Sequence, residues 1–170
     1  MRPYLLLGLL WLAPVAQAGD TPTAPAPAVA YVLAPGPSLA LSLKLAQAAI
    51  DACQAKGFAA SASVVDSAGL VKATLRADGA PKPPVAAPLK AATAVAFDAP
   101  GSVMAPRSET DADFAALMAA HKDLYNPHAG SLPLHKDGKV FGGLAVADVP
   151  HDVADTCART ALDAIAPELK

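Results

Sequence analysis

Apolar and polar positions alternate most clearly in the stretch LPLHKDGKVFGGLAVA, which runs from Leu132 to Ala147. Such alternation is typical of β-strands whose two faces meet different surroundings. Asp137-Gly138 lies between the two apolar arms, and an Asp-Gly pair is a strong signal for a tight hairpin turn because both residues tolerate positive φ. Gly142-Gly143 interrupts the second arm, which is typical of a bulge or of a close approach by another backbone or a flat ligand. The stretch is predicted to form a β-hairpin.

A second hairpin is predicted earlier in the chain, with strands at 60–66 and 69–76. Small and apolar residues alternate in the first strand, and Asp66-Ser67-Ala68-Gly69 supplies the residue types that form turns. Asp78-Gly79 then ends the second strand. Paired carboxylates at such positions can do acid–base chemistry, but turn formation is the simpler explanation for both Asp66 and Asp78.

Helical spacing of apolar residues predicts four helices, at 43–56, 88–98, 111–122 and 150–166. Ser42 and Thr110 are candidate N-caps, Gly57 is a candidate C′ residue, and Pro88 suits the first turn of a helix. The segments 99–107 and 124–131 are predicted to be loops. The order α-ββ-αα-ββ-α contains no βαβ alternation, which favours an α+β fold with a single antiparallel sheet and helices packed against it.

The first 37 residues are predicted to lie outside this domain. Arg2, an apolar run from Tyr4 to Val15 and the small residues around Ala18 are typical of a signal peptide covering 1–18. An uncleaved anchor is the alternative, although the run is short for a membrane span. Residues 19–37 are rich in Pro and Ala and are predicted to be an extended leader, with the domain at 38–170. We therefore expect a periplasmic or secreted protein with no membrane span after cleavage.

Composition and charge argue against nucleic acid as a partner. Of the 170 residues, 54% are hydrophobic and 16% charged, and the formal net charge is −2. No basic run is present to neutralise a phosphate backbone, which argues against nucleic-acid binding. The apolar residues are rich in alanine rather than leucine, so we expect close packing between helices.

The chain contains two cysteines, Cys53 and Cys157, in the first and last predicted helices. An even number of cysteines in an exported domain favours a disulfide. Two buried thiols that pack as small apolar side chains are the alternative.

Three stretches together resemble the GlcG/HbpS-like family. They are the opening helix and hairpin LSLKLAQAAIDACQAKGFAASASVVDSAGLVKATLRADGA, the helix KAATAVAF at 90–97, and the closing hairpin LPLHKDGKVFGGLAVAD. The similarity extends over about 38–166. It implies a layered α+β domain, a homo-oligomer, and a connection with haem or corrinoids, with glycolate-utilisation operons or with extracellular redox sensing.

The sequence departs from this family in its histidines. His121, His128 and His135 lie within 15 residues, in a region where the family has few histidines. Imidazole is a common ligand of haem iron and of divalent metals. All three are candidate ligands of a haem or of a metal ion, and surface or capping roles are the alternative. His128 is the first choice because loops often carry binding residues, and Tyr125 is an alternative haem ligand.

Two further groups of residues are candidates for a haem site, and each also has an ordinary structural explanation. Small residues of the closing hairpin are candidates for the wall of a flat apolar slot, or for an ordinary packed sheet (Gly142, Gly143, Ala145 and Ala147). Arg76, Lys90 and Arg107 are candidates for pairing with propionates, or are exposed surface charges.

No catalytic motif is present: the sequence lacks G-x-S-x-G, H-E-x-x-H, a P-loop and C-x-x-C. The sequence thus favours an exported small-ligand-binding protein, for haem or a related tetrapyrrole, acting in carriage, storage or redox sensing. The alternatives are a ligand-free oligomeric interaction domain, and an enzyme or accessory protein of small organic acid metabolism.

Overall fold

The computed structural model describes residues 33–168. The elements in chain order are α1 (Leu39–Gln54), β1 (Ser61–Asp66), β2 (Val71–Arg76), α2 (Ala86–Phe97), α3 (Gly101–Thr110), α4 (Ala112–Ala120), β3 (Ser131–Lys136), β4 (Lys139–Ala147), α5 (His151–Ile165) and a 3-10 turn (Ala166–Glu168). The predicted signal peptide, and the part of the predicted leader up to residue 32, lie outside the described residues. None of the helices described is both long enough and apolar enough to cross a membrane.

The four strands form one antiparallel sheet in the order β2-β1-β4-β3, which confirms the predicted fold class. Both predicted hairpins are present, and β1 joins them by pairing with β4 from Ser61–Ala147 to Asp66–Gly142. The Asp66 carboxylate accepts the backbone N–H groups of Ala68 at 2.9 Å and Leu70 at 3.0 Å. This carboxylate therefore shapes a turn, as the simpler explanation of the sequence predicted.

Helices cover both faces of the sheet. On one face α1 and α5 bury the main core against alternate residues of the strands, among them Val64, Leu132 and Leu144. On the other face α2 packs Ala91 against Val65 and Ala145. A Cβ added to Gly143 would lie 2.5 Å from the carbonyl oxygen of Ala91. Gly143 therefore permits the close approach of α2, and this part of the hairpin is a packed interface rather than the wall of an open slot.

Cys53 of α1 and Cys157 of α5 form the predicted disulfide, across a sequence separation of 104 residues. Both side chains are fully buried. The bond joins the two helices that cover the main core. It also closes most of the domain into one loop, which restricts the unfolded chain.

The largest difference from prediction is α3, a helix in the segment that was predicted to be a loop. Its sequence, GSVMAPRSET, contains few apolar residues and includes a proline inside the helix, Pro106. The buried side chain of Met104 packs with Ala94, Phe114 and Met118. Tertiary packing therefore stabilises a helix whose local sequence does not favour one.

All four predicted helix starts differ from the observed ones, by one to four residues, and two of the differences follow from the capping residue. α1 begins one turn early because the Ser38 hydroxyl accepts the Leu41 N–H at 3.2 Å, and Ser42 is buried inside the helix. Asp111 rather than Thr110 caps α4, accepting the Phe114 N–H at 3.0 Å. Gly57 ends α1 with φ of 81°, as predicted.

Candidate functional site

The loop between α4 and β3 is held in place by two polar side chains of α2. Thr93 Oγ1 accepts the backbone N–H of Asn126 at 2.7 Å and donates to the carbonyl of Leu89 at 2.6 Å. Lys90 Nζ donates to the carbonyl of Ala129 at 2.8 Å. Lys90 is 4% exposed and Thr93 is fully buried. The loop that carries His128 is therefore positioned by the helix packed on the sheet.

His128 lies between Asn126 and Ala129, the two loop positions that α2 anchors. Its backbone N–H donates to the Asn126 side-chain oxygen at 3.1 Å, an Asx turn that defines the local backbone. Its ring stacks on that of His151, the first residue of α5, with centroids 4.8 Å apart and planes at 25°. Partial burial, then the nearby His151 and Lys90, lower the pKa of His128 below its usual 6.5. The imidazole is therefore neutral at neutral pH, which is the state that binds a metal.

Lys90 contributes a buried positive charge beside the histidine pair. Its ammonium also donates to the carbonyl of Val146 at 3.2 Å. Burial lowers the pKa of Lys90 to about 8, and the Asp148 carboxylate partly opposes that shift. Asp148 in turn accepts the Ser61 hydroxyl at 2.6 Å. At pH 7 Lys90 is still mainly charged, because its pKa lies above that pH.

Two clefts meet at His128. The polar cleft has a volume of about 380 Å³ and lies between α2, the loop and the start of α5. Its lining includes Lys82, Lys90, Asn126, His128, Asp148 and His151. The α4 cleft has a volume of about 410 Å³, and Ala115, Met118, Ala119, Tyr125 and Pro127 give it a largely apolar wall. Asn126 and His128 line both clefts, so one imidazole faces a charged cavity and an apolar one.

The other two histidines lie elsewhere. His121 ends α4 at an exposed position, with its ring centroid 6.3 Å from that of Tyr125. His135 is on the edge strand β3, where its Nε2 lies 2.7 Å from a carboxylate oxygen of Asp98. Within 33–168 no three His, Cys, Asp or Glu side chains are grouped closely enough to hold a metal ion. The fold therefore separates the three predicted metal ligands His121, His128 and His135.

Tyr125, the alternative haem ligand, lies in the loop between α4 and β3. Its ring packs edge-on against Phe97, with centroids 5.3 Å apart, and it lines the α4 cleft. The structure thus places Tyr125 in the same cleft as His128. Its ring also belongs to a small aromatic cluster with Phe97 and Phe114.

Of the three predicted propionate partners, only Lys90 lies at the clefts. The Arg76 guanidinium donates to the carbonyls of Ala80 and Lys82 and so stabilises the turn after β2. Arg107 pairs with Asp111 at 2.9 Å and stacks over the Phe114 ring at 4.3 Å. Both arginines therefore hold local structure.

Sequence reasoning missed several residues of the site, namely Lys82, Thr93, Asn126, Asp148 and His151. Two signals were present. Lys90 and Thr93 are polar, three residues apart and thus on one side of an otherwise apolar helix. Asn126-Pro127 also indicates a turn before His128. The pairing of His128 with His151 had no local signal, because 22 residues and a whole hairpin separate them.

Comparison with known proteins adds the family. Residues 38–163 match the family described as haem degrading protein HbpS-like. A double mutant of HbpS from Streptomyces reticuli is 31% identical, with a TM-score of 0.69, covering 84% of this chain and 99% of that one. PduOC, solved in complex with haem, is 26% identical, with a TM-score of 0.70, covering 76% of this chain and 95% of that one.

A third structure shares the fold alone: protein ORFY of Klebsiella pneumoniae is 20% identical, with a TM-score of 0.72, covering 81% of this chain and 94% of that one. No curated protein matches the chain. The family match spans most of the chain and coincides with the folded domain, which confirms the resemblance seen in the sequence. The chain therefore belongs to the HbpS-like family of haem-degrading proteins.

Proposed function

We propose that this protein binds haem or a related tetrapyrrole at the α4 cleft, with His128 as the ligand of the iron. The observation that carries the proposal is the position of His128, a neutral imidazole at the junction of an apolar and a cationic cleft. The family match and the haem complex of PduOC support the choice of ligand.

The residues present fit such a ligand. Imidazole nitrogen is a common axial ligand of haem iron. Met118, Tyr125 and the alanines of α4 offer an apolar wall for a macrocycle, and Lys82 and Lys90 offer positive charge for propionates. Bound haem would supply redox chemistry or stored iron. The chain's own residues would bind and orient the group and hold the imidazole in its neutral form.

A haemin titration of protein lacking residues 1–18 tests this proposal. We expect saturable binding with a Soret maximum that shifts and weakens in His128→Ala. His121→Ala is the matched control, because that exposed histidine lines neither cleft and its loss should leave the spectrum unchanged. Tyr125→Phe tests the alternative ligand. An absence of saturable binding, or equal spectra for the wild type and His128→Ala, would contradict the assignment of the site.

We further propose that the protein is exported and acts in carriage, storage or redox sensing. The Cys53–Cys157 disulfide supports this location, because such bonds persist mainly in oxidising compartments. N-terminal sequencing of the protein from the periplasm or medium should find Gly19 as the first residue. A full-length chain in the cytoplasm would contradict export.

An apolar surface favours self-association as a second property. Leu70, Val71 and Leu124 are 60%, 54% and 53% exposed, and Leu70 and Leu124 line a groove of about 540 Å³ between the first hairpin and α2. Exposed apolar patches often mark interfaces. We propose that this surface contacts a second copy of the chain. Light scattering should show an oligomer that Leu70→Glu dissociates, whereas Val85→Glu, which alters another exposed apolar residue outside the groove, should not.

A further inference from the structure

The polar cleft concentrates positive charge in a small volume. Lys82 and Lys90 are cationic, and the imidazoles of His128 and His151 line the same cleft. The lining contains one carboxylate, that of Asp148, and it already accepts the Ser61 hydroxyl at 2.6 Å. At neutral pH the lining therefore carries a net positive charge, and a bound anion would balance it.

Lys90 is a rigidly placed member of this group. Two of its three N–H donors are used by the carbonyls of Ala129 and Val146, at 2.8 and 3.2 Å. These bonds hold the ammonium where it lines the cleft and leave one donor for a ligand. At 4% exposure, the side chain cannot move its charge into bulk water without breaking both bonds. Burial of this kind strengthens the attraction to an anion, because the local dielectric is low.

Besides the lysines, the start of α5 is a second, independent feature of the cleft that attracts negative charge. The helix begins at His151, its N-cap is Pro150, and no side chain caps it. The first backbone N–H groups of a helix lack partners within it and attract negative charge. Asp152 lies in the first turn but does not line the cleft. Pro150 and His151 do line it, so this uncapped end opens beside Lys90.

We propose that the polar cleft binds the carboxylate of a small organic anion. Lys82 and Lys90 supply charge, and Asn126, His128 and His151 supply hydrogen-bond donors. The volume of about 380 Å³ suits a compact anion and is at the lower end of the range for ligand sites. Two sources provide the same chemistry: the propionate of a tetrapyrrole in the adjoining α4 cleft, or a free organic acid. The carboxylate site itself does not depend on haem binding.

The first experiment uses haem-free protein and isothermal titration calorimetry with succinate. We expect saturable binding in the millimolar range or tighter, and none with the uncharged analogue succinamide. Lys82→Ala should weaken succinate binding about tenfold, which corresponds to the loss of about 1.4 kcal/mol. Lys72→Ala is the matched control, because this exposed lysine of β2 lies outside the cleft. No saturable binding, or equal affinities for the wild type and Lys82→Ala, would overturn the proposal.

A spectroscopic measurement places the anion independently of the lysine variants. In an NMR titration, succinate should shift the imidazole resonances of His128 and His151, which line the cleft, and leave those of His121 unchanged. A succinate effect on His121 equal to that on His128 would overturn the assignment to this cleft. The measurement needs no substitution, so it stands even where a variant folds poorly.

A comparison of haemin with its dimethyl ester separates the two sources. If the ester binds about tenfold more weakly than haemin and Lys82→Ala removes that difference, the propionate occupies the cleft. If haemin and the ester bind equally while succinate binds as expected, the cleft takes free acids. Succinate binding without any haemin binding would reject the proposed haem function and retain the carboxylate site. The absence of succinate binding would reject the carboxylate site, whatever the comparison of haemin with its ester shows.

Discussion

The ammonium of Lys90 donates a 2.8 Å hydrogen bond to the backbone carbonyl of Ala129, 39 residues further along the chain. The bond connects the helix on one face of the sheet to the end of the loop that carries His128. With Thr93, which holds Asn126, it positions both ends of a short segment around the histidine. The geometry of the candidate site thus depends on α2, a helix whose remaining buried residues are alanines.

Thr93→Val should loosen this loop without removing bulk from the core. The substitution leaves the Asn126 N–H without its acceptor, which we expect to cost about 1–2 kcal/mol in the free energy of unfolding. Urea unfolding measures that cost, and amide hydrogen exchange at Asn126 should accelerate. Thr156→Val is the control: Thr156 is exposed and its hydroxyl bonds only to a carbonyl of its own helix, at 2.8 Å, so little change is expected. Equal stabilities for the two variants would contradict the anchoring role of Thr93.

The low pKa of Lys90 predicts a pH dependence of stability. Folding lowers this pKa from 10.5 to about 8, so between these values the unfolded chain binds more protons than the folded one. The free energy of unfolding should therefore rise with pH across that window, by up to about 3 kcal/mol from this group. Because other groups also titrate there, the measurement is the difference between the wild type and Lys90→Met in urea unfolding at several pH values. A difference that stays constant from pH 7.5 to 10.5 would show that Lys90 has an ordinary pKa.

The pKa of His128 predicts how haemin affinity depends on pH. The imidazole binds iron only when neutral, and its pKa lies below the usual 6.5. The affinity should therefore fall with decreasing pH as the ring is protonated, and the midpoint of the fall should lie below pH 6.5. A haemin titration followed at the Soret band across this range measures the midpoint. A midpoint above pH 6.5, or the same profile in His128→Ala, would point to a different ligand.

The disulfide should stabilise the domain mainly through the unfolded state. On the chain-entropy model a loop of about 100 residues is worth roughly 4–5 kcal/mol, so a variant with both Cys53→Ala and Cys157→Ala should lose stability of that order. Because both cysteines are fully buried, dithiothreitol should act on the wild type only when denaturant is present. Unfolding of the double variant should not respond to the reductant at all. Equal stabilities of wild type and double variant would contradict a stabilising bridge.

Much of the fold follows from short stretches of sequence. The Asp137-Gly138 turn takes φ of 51° and 72°, as its residue types predict, and Gly57 ends α1 with positive φ. Apolar spacing located four of the helices, and the two cysteines paired as their number and setting favoured. Helix α3 escaped prediction because Met104 is its one buried apolar side chain, and the partners of Met104 lie in two other helices.

The candidate site depended far more on tertiary structure. Nearness in sequence suggested that His121, His128 and His135 act together, but the fold places them at the end of a helix, in an anchored loop and on an edge strand. The partner of His128 is instead His151, brought to it by the return of the chain along β4 into α5. Turns and helices form from neighbouring residues, so the sequence by itself determined them. Side chains that meet across the sheet are brought together by strand order and helix packing, and only the tertiary structure decides which ones meet.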